Sequence, residues 1–100
     1  MSILHTVNKS PFQKNDLKSC LNHANSDDTI LLIEDGVYGA LSGTEFSLLT
    51  SNCDTDIYCL EGDLAARGID TDKVSDGVKL IDYDGFVDLV AQNDAVNSWL

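Results

Sequence analysis

The 100-residue chain predicts an α/β fold: a three-layer α/β/α sandwich with a mainly parallel sheet of four or five strands. Two observations carry this. Short aliphatic and β-branched runs alternate with helix-start signals along the whole sequence. One of those runs, Thr29-Ile30-Leu31-Leu32-Ile33, is apolar without alternation, as a strand covered on both faces requires. Strand–helix–strand units of this kind pair in parallel through right-handed crossovers.

The elements follow in order. Ile3 to Val7 reads as a short strand. Ser10-Pro11-Phe12-Gln13 then reads as a helix start: Ser10 at the N-cap, Pro11 in the first turn, and Gln13 closing a capping box. Leu17, Cys20, Leu21 and Ala24 recur at helical spacing as its inward stripe. Asn25 to Asp28 is a turn before the second strand. Asp35 can cap a helix through Val37, Tyr38 and Leu41 that Gly43 stops, and Thr44 to Leu49 suits a further helical turn. Asp56 to Leu60 is a third strand, Asp63 to Arg67 a short helix ended by Gly68, and Val78 to Ile81 a fourth strand. Asp82 caps a last helix containing Phe86, Leu89 and Val90. Val96 to Leu100 fits either a final strand or a packed tail. No linker, repeat or low-complexity stretch divides this series, so residues 1–100 form a single domain.

Apolar content of 43% and charged content of 23% suit a globular chain and exclude a disordered one. The longest apolar stretch, Ile30 to Ile33, is far too short to span a bilayer, and the start of the chain lacks a basic, apolar leader. A soluble cytoplasmic protein is expected. The net charge is −11, and residues 51–100 carry eleven acids against three bases. Such a surface repels phosphates, so direct nucleic-acid binding is not expected.

Ligands of open α/β sheets sit beyond the carboxyl ends of the strands. After the first strand, Asn8-Lys9-Ser10-Pro11 has neither a dinucleotide nor a P-loop pattern. After the second, Glu34-Asp35-Gly36 could hold a divalent ion, but a helix cap beside a solvated carboxylate is the simpler reading. Three cysteines and two histidines make neither a disulfide framework nor a zinc site, so no cofactor or metal is expected. Cys59 reads as core. Cys53 lies in a loop. Cys20 falls at the edge of the first helix's apolar stripe, between Asp16 and His23, roughly 13 Å along a helix that starts at Pro11. Acidic surroundings disfavour its thiolate, so it is not a self-activated nucleophile. A packed cysteine at the edge of the core is the plain alternative.

Three segments together are similar to one family: Leu4-His5-Thr6-Val7-Asn8-Lys9-Ser10-Pro11-Phe12, Leu31 to Tyr38, and Leu80 to Leu89 leading to Trp99-Leu100. They resemble the DsrH/TusB family of sulfur-relay proteins, and the match runs end to end. The resemblance implies a DsrEFH-like fold and assembly with DsrE-like and DsrF-like (or TusD and TusC) subunits in a heterohexamer. It also implies that persulfide sulfur passes to a small DsrC/TusE-like carrier. Cys20 stands where DsrH members carry a cysteine in the first helix, which marks it as a possible sulfur acceptor or carrier-docking residue. On that residue the expectation is a DsrH-type subunit serving sulfur oxidation. The alternatives are a TusB-type subunit serving tRNA 2-thiouridine synthesis, or a non-catalytic scaffold. Catalysis by the chain alone is not expected. Cys53 and Cys59 match no family role. Val87, Ala91 and Trp99 extend beyond one helix face or lie near the end of the chain, and predict a partner surface.

Overall fold

The computed structural model describes residues 2–44, 46–47 and 54–99. Half of the expected helical turn at Thr44 to Leu49 lies outside them, with residues 46–47 helical, and Cys53 and Leu100 lie outside them as well. Five strands form one sheet: β1 (Ile3–Val7), β2 (Thr29–Leu32), β3 (Asp56–Leu60), β4 (Val78–Ile81) and β5 (Ala95–Trp99). Their order is β4-β3-β2-β1-β5, and every pairing is parallel. The chain steps outward from β1 to β4 and then crosses back to lay β5 on the far side of β1.

That reversal distributes the helices. Right-handed crossovers in one direction place their helices on one face, and the return crossover places its helix on the other. On the first face, α1 (Asp16–His23), a 3₁₀ segment (Glu34–Ala40) and α2 (Glu61–Ala66) close over Val7, Ile30, Leu32, Ile57 and Cys59. On the second face α3 (Tyr83–Gln92) sets Leu89 and Phe86 against Leu4, Leu31 and Tyr58. The two layers are unequal. Twelve buried residues cluster on the α1 side and three on the α3 side among the described residues, so most of the core's stabilisation lies under α1. Each fully buried aliphatic side chain there contributes about 1.5–3 kcal/mol.

Two helix ends follow the sequence signals. Asp82 Oδ1 accepts from the Gly85 N–H at 2.9 Å at the start of α3. Gly68, at φ +67°, ends α2 with its own N–H on the Ala65 carbonyl and that of Ile69 on Leu64, the paired bonds of a Schellman ending. The other helix starts require correction. The first helix begins at Asp16, not at Pro11. Ser10 forms a local turn instead: its carbonyl accepts from the N–H groups of Gln13 and Lys14, and its Oγ accepts from Phe12. The turn satisfies the backbone that a capping box would have used. Residues 34–40 are 3₁₀ rather than α, and Ile33, not Asp35, precedes them with no side-chain cap. Gly36 explains the tight course, since a Cβ there would run into the Val7 carbonyl oxygen. The third-strand helix covers Glu61–Ala66, two residues earlier at its start than expected. The final segment resolves as a strand, β5, paired along its length with β1.

Candidate functional site

The carboxyl ends of β1, β2 and β3 bring together Asn8, Glu34, Asp35, Asp63 and Arg67. Glu34 leaves β2 with φ +49°, a left-handed conformation that costs a non-glycine residue on the order of 1–2 kcal/mol. Asp63 Oδ2 holds it by accepting the Glu34 N–H at 2.6 Å. Arg67 Nε donates to Asp35 Oδ1 at 3.0 Å, and its Nη1 donates to the Asp63 carbonyl at 3.2 Å. Asp35 is thus an ion-pair partner rather than a cap. Its side chain is about half exposed, and a pair so exposed contributes at most about 1 kcal/mol. Deeper in, Asn8 Oδ1 and Asp16 Oδ2 are buried atoms without a hydrogen-bond partner among the described residues. This edge offers carboxylates, two of them paired with a single guanidinium, and no exposed thiol among the described residues.

Neither described thiol is available for nucleophilic work. Cys59 is fully buried in β3. Burial, and secondly the charge of Asp63, push its thiol up to about 12. Thiolate chemistry at neutral pH needs the opposite shift. Cys20 is also fully buried, inside the core under α1. The stripe-edge position expected for Cys20 becomes a place in the core itself. With the helix starting at Asp16, Cys20 lies about 6 Å from its first residue and faces the sheet beside Leu17.

A buried polar cluster that the sequence reading missed joins β1, the turn before β2, and β5. His5 Nε2 meets Asp28 Oδ2 at 2.9 Å, and Trp99 Nε1 donates to His5 Nδ1 at 3.1 Å. An indole N–H can only donate, so Nδ1 must accept and the proton of a neutral His5 sits on Nε2, aimed at Asp28. Asp28 also accepts from the N–H groups of Ile3 at 3.0 Å and Asn25 at 3.1 Å. Desolvation pushes its carboxyl up, but the bonds from His5, Asn25 and Ile3 outweigh this and hold it below its ordinary 3.8. His23 of α1 meets the edge of the Trp99 ring, with centroids 6.0 Å apart. Trp99 is therefore a half-buried structural anchor, not a free apolar tail. The signal in the sequence was alternation: in β1, His5 lies two residues before Val7 and so shares its inward face. The cluster ties three elements together but has no exposed reacting atom.

A family model described as DsrH like protein matches residues 9–96. The chain belongs to the DsrH-like family. Among curated relatives of this family, the proteins named TusB from Yersinia pestis (strain Pestoides F) and Yersinia pseudotuberculosis (serotype O:1b) are each 39% identical to it. The alignments cover 97% of this chain and 100% of those proteins. The fold recurs in the crystal structure of the YchN protein from E. coli, with a TM-score of 0.84 at 19% identity over 98% of both chains. Protein Tm0979 from Thermotoga maritima superposes with a TM-score of 0.68 at 28% identity, covering 92% of this chain and 93% of that one. No helix among the described residues of this DsrH-like chain is long and apolar enough to cross a membrane.

Proposed function

We propose that this chain is the TusB-type subunit of a cytoplasmic sulfur-relay complex, assembled with TusC-like and TusD-like subunits, that serves 2-thiolation of tRNA wobble uridine. The observation that carries the reading is full-length similarity to proteins named TusB. The two buried thiols support a non-catalytic role. In this reading a cysteine of a partner subunit holds the persulfide. The thiolate of a TusE-like carrier attacks its outer sulfur, the S–S bond breaks, and the partner's thiolate leaves, with no net oxidation. The preference for a DsrH subunit of sulfur oxidation rested on Cys20. That residue's burial and the names of the 39% identical relatives weigh toward TusB. Acceptance of sulfur by Cys20, or docking of the carrier on it, would require α1 to lift from the sheet. The reading gives Cys20 a packing role instead. The subunit contacts proteins and not the tRNA itself, because six Lys and Arg face seventeen acids.

The test is complementation. Expressed in a bacterium deprived of its own TusB, the chain restores 2-thiouridine in tRNA, measured by nucleoside mass spectrometry. Unrestored thiolation, with the chain present and folded beside the sister subunits from its own organism, overturns the reading.

A further inference from the structure

Five large apolar side chains are exposed among the described residues, and four of them fall at one corner: Tyr83 (68%), Val87 (53%) and Val90 (42%) on α3, and Val96 (47%) on β5. Positions 83, 87 and 90 recur at helical spacing and form one stripe. At 100° per residue the stripe lies about a quarter-turn from Phe86 and Leu89, which face the sheet. With the right-handed crossover from β4 to β5, that quarter-turn points toward β5. Val96 is on the same side of the sheet, since in β5 it shares a face with Ser98, whose Oγ meets Thr6 on the α3 face. Stripe and strand thus present their exposed apolar groups on the same side of the sheet.

The strand under this surface has an open edge, because among the described residues β5 pairs only with β1. Natural proteins guard such edges with charge, proline or a bulge. The opposite edge strand, β4, carries Lys79, ion-paired to Asp56. Ala95-Val96-Asn97-Ser98-Trp99 carries no charge and no proline. Around it the charge has a single sign: residues 80–100 contain Asp82, Asp84, Asp88 and Asp94 and neither Lys nor Arg. We propose that the α3–β5 corner docks a protein partner that presents an apolar patch bordered by Lys and Arg. Resting on the sulfur-relay reading, that partner is one of the two sister subunits. A second copy of this chain would bring acidic rim against acidic rim, which charge complementarity disfavours.

The test uses the full chain and its purified TusC-like and TusD-like counterparts from the same organism, with sedimentation velocity and surface-immobilised binding as readouts. Val87→Asp and Val96→Asp weaken association roughly 30-fold or more, as loss of a central apolar contact does. Asp88→Lys slows association and flattens its salt dependence. Phe12→Asp, at the one exposed large apolar residue away from the corner among the described residues, leaves binding unchanged, and thermal melts verify that each variant is folded. Wild-type binding that survives both valine changes overturns this surface while the relay reading stands. A wild-type chain that binds neither sister overturns the relay reading and this partner together. Self-association of the wild type, abolished by Val87→Asp, assigns the corner to a second copy and overturns the basic-rimmed partner.

Discussion

Replacing Asp28 by alanine should remove about a fifth or more of the stability of the domain. Its two carboxylate oxygens accept three bonds, from His5 Nε2 at 2.9 Å, Ile3 N at 3.0 Å and Asn25 N at 3.1 Å, and the residue is 3% exposed. Each donor left buried and unpaired costs about 1–3 kcal/mol. Partial access of water to the Asn25 and Ile3 amides reduces the total, so about 3–5 kcal/mol is expected, the range for breaking a buried pair. Domains of this size have about 5–15 kcal/mol in all, and each kcal/mol shifts Tm by about 4–8 °C. The assay is urea unfolding at pH 7 followed by circular dichroism and by the fluorescence of Trp99, the single tryptophan, which reports on this cluster directly. The pH dependence has a definite sign. The Asp28 carboxyl is held below 3.8 in the folded state, so the unfolded chain takes up the proton first. Its contribution is complete above about pH 4 and is lost as pH falls through the folded value. Wild type should therefore lose stability below pH 4 more steeply than Asp28→Ala. A variant within about 1 kcal/mol of wild type, or with the same acid dependence, would refute the account of the cluster.

Other expectations follow from single residues. Gly36→Ala drives a methyl group into the Val7 carbonyl oxygen, which must displace the β1 end, so little folded protein is expected at 37 °C by circular dichroism. In a Cys53→Ser background, Cys20 and Cys59, both fully buried, should react with a maleimide only at the rate of unfolding, as followed by intact-mass spectrometry. Fast labelling of the native chain would contradict their placement. Cys20→Ala should cost about 1–2 kcal/mol as a small core truncation and leave tRNA 2-thiolation at wild-type levels in the complementation strain. Lost thiolation in a stably folded variant would return Cys20 to the sulfur path.

Local chemistry was legible where it acts alone. β1, β3 and β4 stand where their aliphatic runs place them, β2 ends one residue short of its run, and Asp82 caps α3 as its position implies. The start of α1 was not legible. Ser10-Pro11-x-Gln13 suits a capping box and an isolated turn equally, and the fold uses the turn. The fate of the last segment depended on pairing with β1, more than ninety positions away, which no local pattern reports. His5, Asp28 and Trp99 were hidden for the same reason: each is ordinary in its own neighbourhood, and only the sheet order makes them neighbours. How deeply Cys20 packs was not legible either, because an angular position near the edge of a stripe shifts once the helix starts at Asp16 instead of Pro11.

The sheet order also constrains the sequence of events during synthesis. β1 emerges first and gains β2 on one side soon afterwards, but its other neighbour is β5, so that Thr6 waits for a partner 92 positions later. Until then the nascent domain exposes an uncharged strand edge that the finished sheet covers with β5, and closing a loop of that length is slow compared with local pairing. The acids concentrated in the second half of the chain arrive during that interval. Their mutual repulsion would keep waiting nascent chains apart, so the acidity has a use in folding independent of any partner the finished protein meets.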